Sequence, residues 1–356
     1  MPPEATTPTA SAGPAQIRIE TNPAPQAWDA YVQSSPDASI FHERTWHRAL
    51  ERSFRAYRPS HRMAWRGERV CGVLPLYRVP SLPFGCALIS TPLGVYGGIC
   101  ADDEEAAQAL LDDATAHAKR IGARYVELRQ ERPLASLPTK ELYVCFRRIL
   151  HADREANLMA VPGKERRIIR LAEGHGLTHR MGGMEILPAF YEIYSINMRN
   201  LGSPAFPRHF FKALLEEYGT QCSILGVYHG AKMVAGVFTF YYRDRVMPYY
   251  AASIREALAL HANHFMYWTL TCDAAERGFR VFDFGRSKKD SGSYHFKRHW
   301  GYTPIPLPYQ YQLVGQRKMP NLSPTNPTYG LVIRAWQRAP LPLTRWLGPM
   351  LSPYFP

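Results

Sequence analysis

Two segments of the chain repeat the same order of elements, and this repeat limits the folds that the sequence can adopt. GERVCGVLPLYR (67–78) and GAKMVAGVFTFYYR (230–243) each have a charged turn followed by a β-rich segment that ends on Tyr-Arg. A long amphipathic helix and a strand are predicted to follow in each half. In the first half the helix is predicted at 103–121 and the strand at GARYVELR (122–129). In the second half the helix is predicted at 258–277 and the strand at GFRVFDFGR (278–286). A duplicated α/β unit explains two copies in the same order better than chance does.

The 356 residues are enough for two domains of ordinary size, and 46% hydrophobic with 21% charged residues is typical of a globular protein. We therefore predict an α/β (α+β) fold of two tandem domains, each with a mixed, mainly antiparallel sheet flanked by helices. The predicted parts are a disordered N-terminal tail (1–16), a first domain (17–155), a second domain (156–314) and a Pro-rich linker with an amphipathic C-terminal tail (315–356). Further helices are predicted at 163–173, 187–200 and 207–218, and a last strand at 307–314.

Charge and cysteine usage narrow the class of protein. The formal net charge of +13 favours contact with polyanions such as nucleic acid, phosphorylated donors or acidic lipid. The six cysteines are scattered without a CxxC pair, which is typical of buried thiols in a reducing compartment and predicts no structural zinc. No apolar run of about 18 residues occurs, so no transmembrane helix is predicted. We expect a cytoplasmic protein. Its tail, with Trp336 and Trp346, either packs on the domains, which we favour, or contacts the inner membrane peripherally.

Several familiar catalytic patterns are missing. DFG at 283–285 occurs without an HRD loop, and no GxSxG, GxGxxG or Walker A sequence is present. The glycine-rich segment TPLGVYGG (91–98) is predicted to be a strand-to-helix turn. It either shapes a groove, with Tyr96 and Gly97 close to a substrate, or is a plain turn.

The stretch DFGRSKKDSGSYHFKRHWG (283–301) places five basic side chains directly after a predicted buried strand. Ser293 is predicted to cap a short helix over 294–300 that stops at Gly301. Two interpretations of this stretch remain open. It is either a solvated basic loop or the wall of a groove for an anionic or carbonyl-bearing substrate.

On the predicted short helix, Phe296 and Trp300 lie four residues apart and share the buried face. Lys297 then lies at the edge of that face, where an ammonium group stabilises the oxyanion that forms when an amine attacks an acyl carbonyl. The predicted substrate-binding residues around it are Arg286, Lys288, Lys289 and His295.

At these residues the sequence resembles the FemAB family. The similarity is carried by HANHFMYWTLTCDAAERGFRVFDFGR, by FKRHWG (296–301), which is similar to the family's Phe-Lys-x-x-aromatic-Gly pattern, and by TPLGVYGG with YVELR in the first half. It covers roughly residues 17–312. The ending PTYGLVIRAWQRAPLPLTRWLGPML resembles a subgroup found with exosortase (PEP-CTERM) and exopolysaccharide systems.

The resemblance implies two GNAT-like domains and amide formation by acyl or aminoacyl transfer to an amino group. It also implies catalytic roles for Phe296 and Lys297. No tightly bound cofactor is expected, because the donor is a co-substrate: aminoacyl-tRNA, acyl carrier protein or acyl-CoA. The implied acceptor is an amine-bearing precursor in cell-envelope or exopolysaccharide assembly. The chain departs from the patterns of known members, because it has no coiled-coil arm and RLAEGHG (170–176) lacks the spacing of a coenzyme A loop. A non-catalytic module that binds an anionic polymer or tRNA is the alternative.

Overall fold

The computed structural model describes residues 16–80, 85–134, 137–316, 318–320 and 327–355. The predicted disordered segment 1–16, apart from its last residue, lies outside the described residues, as do residues 321–326 of the predicted linker.

The chain alternates strands and helices throughout. Its first elements are β1 (Ile17–Thr21), α1 (Pro25–Ser34), α2 (Arg44–Ser53), β2 (Arg58–Pro59), β3 (Arg62–Arg66), β4 (Arg69–Leu74), β5 (Leu76–Pro80), β6 (Cys86–Ser90), β7 (Cys100–Ala101), α3 (Glu104–Arg120), β8 (Tyr125–Arg129) and β9 (Thr139–Ile149). They are followed by α4 (Arg154–Met159), α5 (Gly163–Glu173), β10 (Leu177–Gly182), α6 (Leu187–Leu201), α7 (Arg208–Tyr218), β11 (Cys222–His229), β12 (Lys232–Tyr242), β13 (Arg245–Ser253), α8 (Glu256–Ala259), α9 (Ala262–Glu276), β14 (Val281–Lys288), α10 (Gly292–His299), β15 (Pro304–Leu313), α11 (Pro327–Arg338) and α12 (Leu341–Leu351).

These elements confirm the predicted fold class, a mixed α/β protein with mainly antiparallel sheets flanked by helices. The predicted helix 258–277 is wrong in one respect, because it is divided into α8 and α9. His261, between them, has a φ of +51°, in the left-handed region that interrupts a right-handed helix. The acidic residues at the start of the predicted helix 103–121 lie at the N-terminus of α3. Asp103 caps this helix, because its side chain accepts a hydrogen bond from the Ala106 amide at 2.9 Å.

The two repeated segments differ in structure, and the difference lies at Pro75. In the second half the repeat forms one long strand, β12. In the first half Pro75 separates β4, which belongs to a four-stranded sheet, from β5, which belongs to an eleven-stranded sheet. Proline has no backbone N–H to donate to a ladder, so it favours a break at this point.

Each half contains a pair of parallel strands with a helix in the connection between them. β6 pairs with β8 at Leu88–Val126 and Ile89–Glu127, and α3 lies between them in the chain. β13 pairs with β14 over two residue pairs, and α9 lies between those strands. Each of these parallel pairings extends over two residue pairs. The predicted duplication is therefore present in the topology.

The two halves exchange strands in the large sheet. The strand order is β10-β11-β12-β13-β14-β9-β15-β8-β6-β5-β2, so β9 of the first half lies beside β14, and β15 of the second half lies beside β8. The proposed domain border at 155/156 thus separates segments that share one continuous sheet.

The hydrophobic core also crosses between the halves. The indole ring of Trp46 on α2 lies 6.2 Å from the ring of Phe210 on α7 and 5.9 Å from that of Phe240 on β12, measured between centroids. Arg48 on α2 forms a salt bridge of 2.6 Å with Glu217 on α7. The two halves therefore pack as one body through α2 and α7.

The six cysteines are buried and carry free thiols. Within the described part of the chain, no helix is both long and apolar enough to cross a membrane.

Candidate functional site

β14 contains a bulge where it pairs with β9. Asp283 lies opposite Arg147 and Arg286 lies opposite Cys145, so β14 has one residue more than β9 over this interval. Gly285 lies within it with a φ of +64°, a conformation that favours glycine. The strand continues to Lys288, because it still pairs with β9, so Arg286 and Lys288 belong to the strand and not to the predicted loop.

The ammonium group of Lys297 is bound to this bulge. Its Nζ donates to the carbonyl oxygen of Phe284 at 2.7 Å and lies 3.3 and 3.4 Å from those of Gly285 and Arg286. A bulge disrupts the ladder, and the ammonium supplies donors to the carbonyls there. Burial lowers the pKa of Lys297 to about 8, although the nearby Asp283 carboxylate acts in the opposite direction.

Helix α10 holds Lys297 in this position. Its N-cap is Ser291, whose Oγ accepts from the Tyr294 amide at 3.3 Å, so the predicted cap at Ser293 is wrong by two residues. Trp300 is buried as predicted, and Phe296 is half-buried with its ring centroid 5.6 Å from that of Tyr267. The helix is therefore fixed to the core through its aromatic face.

Asp283 joins the two halves. Its buried carboxylate accepts from Arg147 Nε at 2.7 Å, from the Gly285 amide at 2.8 Å and from the Tyr96 hydroxyl at 3.1 Å. Burial, followed by the charge of Asp283, raises the pKa of Tyr96 well above its usual range. Every oxygen of this buried carboxylate thus has a donor.

The glycine-rich segment 91–98 lies between the halves. The hydroxyl groups of Tyr249 and Tyr309 donate to the carbonyl oxygens of Leu93 and Val95 at 2.7 and 2.9 Å. Gly97 has a φ of +106°, and a Cβ at Gly98 would lie 1.9 Å from the Gln130 side chain. The glycines are needed for backbone conformation and close packing at this contact.

A cavity of about 450 Å³ lies over the four central strands, β14, β9, β15 and β8. Its sheet side is lined by polar and aromatic side chains: Glu127, Arg129, Lys140, Tyr143, Arg286, Tyr309 and Tyr311. Its helix side is mainly apolar and comes from the end of α6, the segment after it, α11 and the residues from Leu351 onward. The apolar residues are Met198, Phe206, Val332, Ile333, Trp336, Leu351 and Phe355, and Ser203 and Ser352 also line this side. The volume is in the range of roughly 300–1,000 Å³ that is usual for small-molecule sites.

Two arginines from corresponding positions of the repeat face this cavity. Arg129 ends YVELR and Arg286 ends VFDFGR, and their guanidinium carbons lie 5.5 and 5.6 Å from the centroid of the same ring, that of Tyr309. Such cation–π contacts hold both guanidinium groups against the sheet.

The two arginines differ in their partners. Arg129 donates through Nε to Glu127 at 3.0 Å, two residues earlier on β8. In β14 the extra bulge residue lies between Asp283 and Arg286, and Asp283 binds Arg147 instead. Arg286 donates to the Tyr309 hydroxyl at 3.0 Å, and among the described residues no carboxylate forms a salt bridge with it. Arg286 therefore contributes an uncompensated positive charge to the cavity.

The predicted site residues do not all meet. Arg286 lines the large cavity, whereas Lys297 and Phe296 lie on α10, where Lys297 binds the β14 backbone. Tyr96 and Gly97 are buried in the contact between the halves, Lys288 is half-buried, and His295 is exposed. Lys289 is exposed, with its Nζ 3.8 Å from a Glu141 carboxylate oxygen.

Sequence reasoning missed Arg129, Glu127 and Tyr309. The repeat contained a signal for one of them, since both similar strands end on arginine. Nothing local indicated Tyr309, because its role depends on β15 lying between β9 and β8.

Comparison with known proteins agrees with this architecture. Residues 164–298 match the family described as an acetyltransferase (GNAT) domain. The fold is similar to the crystal structure of FemX, with 17% identity, 88% of this chain and 100% of that chain covered, and a TM-score of 0.62. It is also similar to a tandem GNAT protein from the clavulanic acid biosynthesis pathway (12% identity, 85% and 100% covered, TM-score 0.51). L-PGS from Bacillus licheniformis is a third similar structure (14% identity, 89% and 98% covered, TM-score 0.53). Comparison with curated proteins finds no significant match.

These findings show a GNAT acetyltransferase domain over residues 164–298 and a fold shared with FemX and with a tandem GNAT protein. Membership of the FemAB family and acyl or aminoacyl transfer to an amine belong to the proposal below. The exosortase-associated subgroup stays a prediction.

Proposed function

We propose that the protein is an N-acyltransferase or aminoacyltransferase that forms an amide by direct attack of an amine on an activated acyl donor. The observation that carries this proposal is the match of 164–298 to a GNAT acetyltransferase domain, in which β14 directs Arg286 into the central cavity. Arg286 is the cation best placed to hold a phosphate or carboxylate of a substrate.

The reaction requires no protein nucleophile. The amine nitrogen bonds to the donor carbonyl carbon, the ester or thioester bond breaks, and the proton that the amine loses is taken up by the leaving group. A cation that stabilises the intermediate oxyanion accelerates such a step. Lys297 is the proposed cation, with Phe296 beside it on α10. To bind the oxyanion, the Lys297 ammonium has to give up one of its contacts with the backbone carbonyls of β14.

The proposal also covers the other substrate-binding residues, the donor, the acceptor and the place of action. Further substrate contacts are proposed for residues that do not line the cavity of Arg286: Lys288, Lys289, His295, Tyr96 and Gly97. Aminoacyl-tRNA, acyl carrier protein or acyl-CoA is the proposed donor, and an amine-bearing envelope or exopolysaccharide precursor is the proposed acceptor. The proposed place of action is the cytoplasm. α11 and α12 pack on α6 and the segment after it, so peripheral contact with the inner membrane is proposed only for side chains of the tail that stay exposed, such as Trp346.

Mass spectrometry of donor and amine mixtures tests the proposal. The purified full-length protein is incubated with each donor class and a panel of amines, and amide products are sought. We expect one donor class to give product, and Arg286→Ala to reduce its yield by about tenfold or more. Arg298→Ala is the matched control, because Arg298 is exposed on α10 and does not line the cavity. Absence of product with every donor would contradict the proposal.

A non-catalytic module for tRNA or another anionic polymer is a second candidate, favoured by the net charge of +13. In that case polymer binding would weaken steeply with salt, without turnover.

A further inference from the structure

We infer that the central cavity binds an amphiphile with one anionic head group and a single long apolar chain. This deepens the proposed function, on which it rests, by naming the chemical class of one substrate. Its evidence is the division of the cavity into a cationic sheet side and an apolar helix side.

The sheet side fits an anionic head group. Arg286 lies over the ring of Tyr143, with 4.6 Å between its guanidinium carbon and the ring centroid, and donates to the hydroxyl of Tyr309. These contacts fix the guanidinium group in one orientation and leave further N–H donors for a ligand. Lys140 adds a second positive charge, and its Nζ also donates to the Pro320 carbonyl at 2.9 Å, while the carboxylate of Glu127 is already paired with Arg129. The lining side chains of this side thus carry more positive than negative charge, which a bound carboxylate or phosphate would reduce.

The helix side fits an alkyl chain. Ile333 and Trp336 face the cavity from one side of α11, and Phe206 faces it from the segment after α6. The polar atom of Trp336 does not need the ligand, because its indole Nε1 donates to the Ser203 carbonyl at 3.1 Å. The Ser352 hydroxyl, which also lines this side, donates to the Pro349 carbonyl at 3.2 Å. With these polar atoms bonded within the protein, the side offers mainly apolar contact, which favours burial of alkyl groups.

Three apolar side chains that line the cavity are also exposed to solvent, which fits entry of an alkyl chain beside them. Val332, Leu351 and Phe355 line the cavity and are also 63%, 39% and 42% exposed. Apolar side chains at the rim lower the cost of passing an alkyl chain from water into the cavity.

The helix side is attached independently of the cavity contents. Arg345 on α12 donates to the Ser195 hydroxyl at 2.9 Å and forms a salt bridge of 2.5 Å with Glu192, both on α6. A Cβ at Gly202 would lie 2.5 Å from Ile333 Cγ2, so α11 also packs closely on the end of α6. The cavity is thus a formed space between α11 and the sheet.

Equilibrium dialysis of the full-length protein with radiolabelled palmitate and, in a second arm, with 1-palmitoyl-lysophosphatidate tests the inference. We expect saturable binding in at least one arm, and the arm that binds identifies carboxylate or phosphate as the head group. Hexanoate has the same head group as palmitate but ten fewer methylenes, and each buried methylene raises affinity by about fourfold. We expect hexanoate to bind at least 100-fold more weakly than palmitate.

Two variants and their matched controls locate the ligand. Arg286→Leu removes the cation, and Ile333→Trp fills the apolar side; we expect each to weaken binding by about tenfold or more. Arg298→Leu and Leu331→Trp are the controls, because both side chains are exposed and neither lines the cavity. Thermal denaturation of each variant verifies that it is folded.

Absence of saturable binding in both arms, or binding that Arg286→Leu and Ile333→Trp leave unchanged, would overturn the inference. The outcome is separable from that of the proposed function, since dialysis requires no turnover. Palmitate binding through Arg286 without amide formation by any donor would refute the transferase and leave the ligand class standing. Amide formation without saturable binding of either ligand would support the transferase and refute the ligand class.

Discussion

The hydroxyl of Tyr96, in the first half of the chain, donates to the carboxylate of Asp283, in the second half, at 3.1 Å. Asp283 has no exposed surface and also accepts from Arg147 and from the Gly285 amide. One buried charge therefore holds together the glycine-rich segment, the β14 bulge and β9. The bulge that directs Arg286 depends on this group.

Asp283→Asn should destabilise the protein by about 2–3 kcal/mol, because it leaves the partly buried Arg147 guanidinium with only the more exposed Glu131 as a counter-charge. Urea denaturation gives the free energy of unfolding. Asp290→Asn is the control: Asp290 is exposed with a φ of +61°, which asparagine also adopts readily, so a change within about 0.5 kcal/mol is expected. Equal losses in the two variants would refute the special role of Asp283.

Lys297→Met should lower kcat for amide formation by about 100-fold or more if the ammonium stabilises the oxyanion. A role limited to holding the bulge predicts another result, a raised KM and a lower melting temperature with kcat largely kept. Steady-state kinetics and thermal denaturation separate the two. Arg298→Met, an exposed change on the same helix, should leave all three quantities unchanged.

The pH dependence of kcat/KM gives a second test of Lys297, because kcat/KM reports the pKa values of the free enzyme. With a pKa of about 8, the ammonium form predominates below pH 8 and is lost above it. An oxyanion role requires the ammonium, so kcat/KM should fall as pH rises through about 8. A kcat/KM that rises through the same range would instead indicate that the neutral amine acts as a base.

The local elements of this fold were predictable, whereas the site was predictable only in part. Helices such as α5 and α7 followed from apolar periodicity, and the repeat was visible in its two similar strands. The exchange of β9 and β15 between the halves was not predictable, because strands that pair over a long distance in sequence carry no local signal of their partner. Arg286 was identified because it lies in a basic stretch. Its partner Arg129 and the apolar side supplied by α11 depend on that exchange and on tertiary packing.

Acidification should destabilise the protein through buried histidines of the first half. His47 and His61 stack with ring centroids 4.5 Å apart, and burial lowers the pKa of both, as it lowers that of His42 to about 4. The unfolded chain takes up these protons near pH 6.5, whereas the folded chain does not, so the free energy of unfolding falls as pH falls below about 6.5.

At pH 5 the expected loss is on the order of 2 kcal/mol for His42, whose pKa of about 4 lies well below the usual value, and His47 and His61 act in the same direction. Urea denaturation at pH 7 and pH 5 measures it, with His47→Phe expected to reduce the difference. His299→Gln, at an exposed position, should leave the difference unchanged. A free energy of unfolding that is equal at the two pH values in the unmodified protein would contradict the assignment.

Trp336 is expected to hold α11 against the body of the protein, because its ring lines the cavity and its Nε1 donates to Ser203. Trp336→Ala should loosen α11 and α12 without unfolding the sheet, since their described contacts are concentrated on α6 and the segment after it. Hydrogen exchange followed by mass spectrometry should show faster exchange over residues 327–351 and unchanged exchange in β11 and β12. Trp346→Ala is the matched control, because Trp346 lies on α12 and is 65% exposed. If both variants accelerated exchange equally, the attachment would depend on general helix stability and not on the contact that Trp336 makes at the cavity.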